Sequence, residues 1–476
     1  MARTESANNP RHVLFTKRRD FMRFKIVLAI AKLAWFAIRL IDKNRGTDFP
    51  GRIALKLYPD FAKQIPGINY DKVIVVTGSN GKTTTTNLLY HVLKVNGKQV
   101  ASNLKGSNML NGVLSVYIKD TKLNGAPRSE YYIWEVDERS LPTIYNNLPF
   151  TRCIVTNVMQ DQVHRNGEPD LIYSIFSGVF NKSMKLYLNN HEPRSKSFEE
   201  LAGEVVYFGA SQTSESYFKD GLLDVSMPCP ICRHKIDFSF LNLNNVGDFK
   251  CSNCSFSSSV DSVQTERANF EEKEFYINDT RFPMPYDAPV MLYNYSAASA
   301  VCLDLGLCLQ AVSSGLSTFV NASGRMEEIN YKGKKIKYIR MKQENPETLQ
   351  GALDAIASDP SPKLFVIGLC TLDERRPKFT PHYANTYYAY DCDFKRLLAS
   401  NVEKSICFSE FVCYDIANRL YYDGAKKDDV VVVNSDSASR ILEEIDKYES
   451  ETVYFITLMK LMEGIKKHLA KTGGAN

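Results

Sequence analysis

Short apolar runs alternate with helical repeats over most of this chain. Val73-Ile74-Val75-Val76-Thr77 is a run of strand length with no polar alternation, and a helical pattern from about Thr83 to Lys94 follows it across a glycine-punctuated loop. Further strand-like runs fall near 131–136, 152–157, 184–188 and 204–208, with helical patterns between several of them. That alternation predicts an α/β domain with a mostly parallel sheet covered by helices. After residue 320 the theme repeats: strands are predicted near 336–340, 363–369, 404–408, 428–434 and 452–457, with helices near 347–357 and 436–446. Three stretches break the pattern. Ile26–Ile41 (IVLAIAKLAWFAIRLI) is the most apolar run, Arg45–Ile65 is cut by glycine and proline and reads as a connector, and 224–258 is poor in large apolar residues. Small residues from Met291 to Ala300 open a helix expected to reach about Leu309. The expected domains are an N-terminal helical segment (1–45), a central domain (46–320) with an insertion (224–258), and a C-terminal α/β domain (321–476).

Composition adds limits. With 476 residues and 44% hydrophobic content the chain can build two or three ordinary cores, and a net charge of +5 gives no general case for a nucleic-acid partner. Four of its 11 cysteines form a metal-like array and the rest are scattered among apolar residues, which suits a reducing, cytoplasmic setting. The run Ile26–Ile41 is too short and too charged for a spanning helix, which wants about 20 apolar residues, and no signal-type cleavage site follows. Lys25, Lys32 and Arg39 recur every seven residues, below a basic stretch holding Arg11, Lys17, Arg18, Arg19 and Arg23. Such a helix can rest on an anionic membrane surface or cup a lipid-linked substrate. Docking on its own domain fits equally, and the readings are compatible.

The loop after the first strand carries the clearest chemistry. Thr77-Gly78-Ser79-Asn80-Gly81-Lys82-Thr83-Thr84 is a shortened phosphate loop, with Val76 where the longer pattern has glycine. Its backbone N–H groups can cradle a polyphosphate, Lys82 supplies charge to the outer phosphates, and the Thr83 hydroxyl is placed for Mg2+. Glu135, at the end of the strand near 131–136, is the favoured second Mg2+ ligand, ahead of Asp137, Glu138 and Asp161. Cys229-Pro230-Ile231-Cys232 and Cys251-Ser252-Asn253-Cys254, with 18 residues between them, have the spacing of a four-thiolate zinc ribbon. No basic and aromatic cluster surrounds them, so a structural clip is preferred to a nucleic-acid reader. Asn294 either reads an adenine edge or caps its helix, and capping is preferred. Arg325 lies in a turn, and two acidic loops, Thr371–Arg376 and Tyr390–Phe394, follow. The chain has no G-x-S-x-G elbow and no credible Cys/His nucleophile pair.

Taken in order, the phosphate loop, Glu135-Val136-Asp137-Glu138, Thr156-Asn157, Asp161-Gln162, Arg165-Asn166-Gly167-Glu168, Tyr293-Asn294 and Gly324-Arg325-Met326-Glu327 resemble the Mur ligase superfamily. The cysteine ribbon makes the chain similar to the branch of synthetase subunits that amidate lipid II. The resemblance implies a Mur ligase-type central ATP-binding domain with an inserted four-cysteine zinc ribbon and a smaller α/β C-terminal domain. It implies ATP held by Gly78, Ser79, Asn80, Gly81, Lys82, Thr83, Thr84, Asn294 and Arg325, Mg2+ on Thr83 and Glu135, and zinc on Cys229, Cys232, Cys251 and Cys254. The implied reaction passes the γ-phosphoryl of ATP to the α-carboxylate of D-glutamate, and ammonia from a separate GatD-like glutaminase subunit then displaces phosphate. Asp373 would orient the ammonia, with Asp391 and Asp393 as rivals. The lysine that amino-acid-adding members carry beyond the Asp161-Gln162 position has no counterpart around Ser177, which favours amidation over amino-acid addition. A zinc-ribbon nucleotide-dependent binding protein is the alternative of a different class.

Overall fold

The structure is a computed structural model describing residues 10–41, 47–104, 107–161, 168–217, 227–320, 326–340, 345–369, 387–457 and 459–472. The chain divides into two compact units, Met1–Met159 with Glu168–Asn321, and Ala322–Asn476 with Gln160–Gly167.

The first unit is built on β1 (Val73–Thr77), β2 (Val100–Ser102), β3 (Tyr131–Glu135), β4 (Arg152–Val155), β5 (Lys185–Asn189), β6 (Glu204–Ala210), β9 (Val263–Asn269), β10 (Glu274–Ile277) and β11 (Thr280–Pro283). They form one sheet in the order β11-β10-β9-β6-β5-β4-β1-β3-β2, parallel from β2 to β9 and antiparallel through β10 and β11. All five residues of β1 are buried, the signature of a strand covered on both faces. Successive strands run outward from β1 on both sides, to β3 and β2 one way and to β4, β5 and β6 the other. The C-terminal end of β1 is therefore a topological switch point, where α/β sheets open a crevice for ligands. One face of the sheet packs on helices Leu110–Asp120, Leu141–Asn147 and Pro169–Ser177, the other on Lys82–Val95, Pro289–Asp304 and Leu309–Ser317.

Two expectations change. The supposed connector contains a helix, Phe49–Leu57, because Pro50 stands in its first turn, where proline costs no hydrogen bond, and Gly51 serves close packing. Gly51 N donates to Ser115 Oγ at 2.8 Å, and a Cβ there would lie 2.0 Å from the Asn111 carbonyl oxygen. Gly51→Ala is expected to cost the unit about 1–3 kcal/mol, read as a lowered thermal midpoint. The small-residue helix stops at Asp304, and Gly306, at φ +86°, makes the turn into a second helix. The N-terminal segment forms a single helix, Pro10–Ile41, that docks on its own unit, one of the two readings its sequence allows. Phe24, Val27, Leu28 and Ala31 enter the core, and Lys32 Nζ donates to the Ile118 and Thr121 carbonyls at the end of helix Leu110–Asp120. Among the described residues no helix is long and apolar enough to cross a membrane.

A two-stranded antiparallel ribbon, β7 (Ile236–Leu243) and β8 (Val246–Cys251), is inserted between β6 and β9. Its root is tied down by Asn242 Nδ2, which donates to Ala210 O, Ser211 O and Tyr293 Oη at 3.1–3.2 Å.

The second unit carries β12 (Met326–Tyr331), β13 (Lys334–Arg340), β14 (Lys363–Gly368), β15 (Val402–Phe408), β16 (Val430–Val433) and β17 (Thr452–Thr457). Their order is β12-β13-β17-β14-β15-β16, all parallel except the edge strand β12.

Candidate phosphate-binding and metal sites

The loop between β1 and the helix Lys82–Val95 is held on one side by the segment Thr156–Met159 that follows β4. Asn157 fixes its backbone, the carbonyl accepting from Ser79 N and Oδ1 from Asn80 N, both at 2.9 Å. Ser79 Oγ accepts from Met159 N at 2.9 Å, and Thr156 Oγ1 donates to Asn80 O at 2.6 Å. The glycines are required by geometry. Gly78 and Gly81 have φ of +123° and +83°, and a Cβ would stand 2.3 Å from Thr156 Oγ1 and 2.5 Å from Asn294 Oδ1 respectively. Gly81→Ala is expected to raise the KM for ATP by about tenfold or more, since the loop must shift to admit the methyl group; steady-state kinetics reads this.

Asn294 is not a helix cap. The N-cap is Ala288; Asn294 lies inside the helix, buried, with Oδ1 accepting from Thr85 Oγ1 at 3.1 Å. It braces the loop from the far side, because Tyr293-Asn294 falls on the turn of helix Pro289–Asp304 that packs on Lys82–Val95.

Lys82 and Thr83 face different surroundings. The Lys82 ammonium is buried and contacts the Gly78 carbonyl, the Ser79 carbonyl at 3.2 Å and Glu138 Oε1 at 2.5 Å. Glu138 is itself only 2% exposed. By sequence it is a weak metal candidate, whereas the structure makes it the counter-ion of the loop lysine. Asp137 is likewise engaged locally, capping the short turn Glu138–Ser140. Thr83 is exposed at the loop mouth and donates to Glu135 Oε1 at 3.0 Å, so the hydroxyl and carboxylate proposed for Mg2+ are adjacent. Their pairing comes from register, since Glu135 lies opposite Val76 in the β1–β3 ladder. Asn103, which the sequence did not single out, holds Glu135 in place: its side chain accepts from Glu135 N and donates to Glu135 O, both at 2.8 Å. Asp161 accepts from Asn345 Nδ2 at 3.0 Å.

The four ribbon cysteines converge. All four Sγ atoms lie within 4.8 Å of one another, with Cys229–Cys254 at 3.8 Å and Cys232–Cys251 at 3.4 Å. Zn–S bonds of about 2.3 Å in a tetrahedron require S···S separations of about 3.8 Å, and a disulfide only about 2 Å. The cluster therefore fits a four-thiolate metal and not two crosslinks. The Cys232 thiol is lowered to about 6, first by the hydrogen bond from the His234 backbone.

In the second unit, Asp391 ends a short turn, and Asp393 accepts from Lys395 N at 2.8 Å at the start of helix Lys395–Leu398. Arg419, unremarked in the sequence, holds this stretch, donating to Ala389 O at 3.1 Å and Cys392 O at 2.5 Å while pairing with Asp423 at 2.7 Å. Arg325 and Asp373 lie outside the described residues.

Residues 76–260 match the family model of the Mur ligase middle domain, and residues 343–459 that of the MurT ligase C-terminal region. Pseudomurein peptide ligase type C from Methanothermus fervidus superposes with a TM-score of 0.63 at 19% identity, over 86% of this chain and 79% of its own. MurF ligase from Thermotoga maritima, solved in complex with ADP, gives 0.53 at 16% identity, over 88% and 85%. The fold is thus that of the Mur-type ligases. Subunit MurT of lipid II isoglutaminyl synthase (glutamine-hydrolyzing) from Staphylococcus aureus strain COL is 30% identical over 391 residues, 81% of this chain and 85% of that relative. The same subunit from Streptococcus pneumoniae strain ATCC BAA-255 / R6 is 24% identical over 440 residues, 90% and 93% of the two chains. The chain belongs to the MurT family of ATP-dependent ligases.

Proposed function

We propose that this chain amidates the α-carboxylate of D-glutamate in the stem peptide of lipid II, giving D-isoglutamine with ammonia from a GatD-like glutaminase partner. The carrying observation is the Lys82, Thr83 and Glu135 constellation at the switch point of a chain 30% identical to a named lipid II isoglutaminyl synthase subunit. Relatives named as subunits support the need for a partner. Cysteines arranged for metal and a peptidoglycan precursor as substrate support a cytoplasmic reaction, at the inner face of the membrane.

The loop Gly78–Thr84 receives the phosphates of ATP. Lys82 exchanges Glu138 for phosphate oxygens, and so brings positive charge to where two anions must meet. Thr83 and Glu135 would hold Mg2+, which supplies further neutralisation of phosphate charge. A carboxylate oxygen of the substrate bonds to the γ-phosphorus as the bond to ADP breaks. Ammonia then adds to the acyl carbon, phosphate departs with the C–O bonding pair, and the amide nitrogen gives up a proton. Asp373 is proposed to orient the ammonia, with Asp391 and Asp393 as alternatives; Arg325 is proposed as a second cation for the phosphates. Asn294 serves the nucleotide by bracing Gly81. Cys229, Cys232, Cys251 and Cys254 would hold zinc as a structural clip.

Incubating the purified chain with ATP, Mg2+, solubilised lipid II and ammonium chloride tests the reading. Mass spectrometry is expected to show conversion of one carboxylate to an amide. ATP turnover that appears only when an amino acid, or only when nucleic acid, is added would overturn it.

A further inference from the structure

We infer that the outward face of the N-terminal helix Pro10–Ile41 is a contact surface for an anionic membrane. The inference deepens the proposed function, since it rests on a lipid-linked substrate for its purpose, but its evidence is the helix itself. A helix needs one apolar face to dock, and this one has two. The inward face is spent: Phe24, Val27, Leu28 and Ala31 are buried, and the Phe24 ring stacks on Phe61 at 4.7 Å. On the other side Met22, Ile26, Ile30, Leu33 and Leu40 stand 42–75% exposed. At about 100° per residue these five fall within an arc of about 80°, roughly opposite the buried set, along about 27 Å of helix. Unpartnered apolar stripes of this length mark interaction sites.

Charge identifies the occupant. The 32-residue helix holds Arg11, Lys17, Arg18, Arg19, Arg23, Lys25, Lys32 and Arg39 against a single acid, Asp20. Arg19 stands exposed at the N-terminal end of the stripe, and Lys25 and Arg39 are exposed about 60° and 100° round the helix from its edge. Lys25 Nζ lies over the Phe21 ring at 4.4 Å and the Arg39 guanidinium over Trp35 at 5.3 Å. An apolar stripe on a strongly basic helix, with exposed cations at its end and to one flank, is the pattern of a helix lying in the headgroup region, its apolar side chains among the acyl chains and its cations on anionic lipid. The helix does not meet the requirements for crossing a bilayer. Docked on the core by one face and on lipid by the other, it would hold the ATP-binding unit at the surface where a lipid-linked peptide resides.

The test is co-sedimentation of the purified full chain with phosphatidylcholine vesicles that contain phosphatidylglycerol and no lipid II. The chain is expected to bind them, and to bind pure phosphatidylcholine vesicles about tenfold more weakly. Ile26→Asp with Leu33→Asp, both exposed, is expected to cut binding about tenfold or more, with unchanged thermal unfolding and unchanged amidation of detergent-dispersed lipid II. Absence of vesicle binding, equal binding by the variant, or a parent dimer that the variant converts to monomer would each overturn the inference. Vesicle binding that is lost in the variant, in a chain that fails to amidate, would uphold this surface and count against the proposed reaction alone.

Discussion

Lys82→Ala is expected to lower ATP turnover by about 10^2 to 10^3-fold or more, the scale of removing one preorganised cation or donor from a developing negative charge. The same change carries a stability cost, because the Lys82 ammonium neutralises Glu138, whose carboxylate is 2% exposed. Breaking a buried ion pair by deleting one member costs about 3–5 kcal/mol, since the other charge is left without its counter-ion. The two effects separate in a double variant. Lys82→Met with Glu138→Leu replaces the pair with apolar volume, and is expected to recover most of the lost stability while turnover stays at its floor. Chemical denaturation and a phosphate-release assay read the two quantities. Near-normal turnover in Lys82→Ala would contradict the role assigned to the loop.

Cys229→Ser with Cys251→Ser is expected to release about one equivalent of zinc per chain and to unfold the cysteine end of the ribbon. The buried cluster there is small, Ile236, Phe249 and Phe256 around the buried sulfurs of Cys229 and Cys251. So little apolar area cannot order this end of the hairpin, whereas structural zinc contributes about 10–16 kcal/mol in small modules. Loss of the metal is therefore expected to abolish amide protection over the cysteine end of the ribbon, Ile236–Ser239 and Asp248–Cys251, while Leu241 and Gly247, bonded to Tyr217 and His191, stay protected; hydrogen exchange and metal analysis read this. Strands β1, β3 and β4 should stay protected, since their core lies in the sheet. A variant that keeps zinc content, protection and thermal midpoint would contradict a structural clip.

These predictions divide between what the sequence carried and what it did not. Strands β1, β3, β5, β14 and β17 were legible because a strand buried on both faces is a continuous apolar run, a pattern few other environments produce. The phosphate loop and the paired C-x-x-C knuckles were legible because their spacing is itself the geometry. Strand β2 is only three residues long, and β9 to β11 carry polar residues in a twisted edge, so neither gives a periodic signal. Residues acting across the fold were beyond reach. Glu138 became the partner of Lys82, Asn103 the clamp on Glu135 and Arg419 the support of Asp391 to Phe394 only when strand register and helix packing brought distant positions together. Asn294 illustrates the limit: its residue type suggested a cap, while its place inside a packed helix turns it toward Gly81. Gly51 shows the reverse, a residue taken for a breaker that is there for close approach.

The central claim is that the loop Gly78–Thr84 activates a carboxylate by phosphoryl transfer. Lipid II carrying 18O in the α-carboxylate of its D-glutamate, turned over with ATP and ammonium, tests it most directly. One 18O atom in each phosphate released, with the amide formed in equal amount, is the result predicted. Amide formed with unlabelled phosphate would contradict it, since no acyl phosphate would then lie on the path.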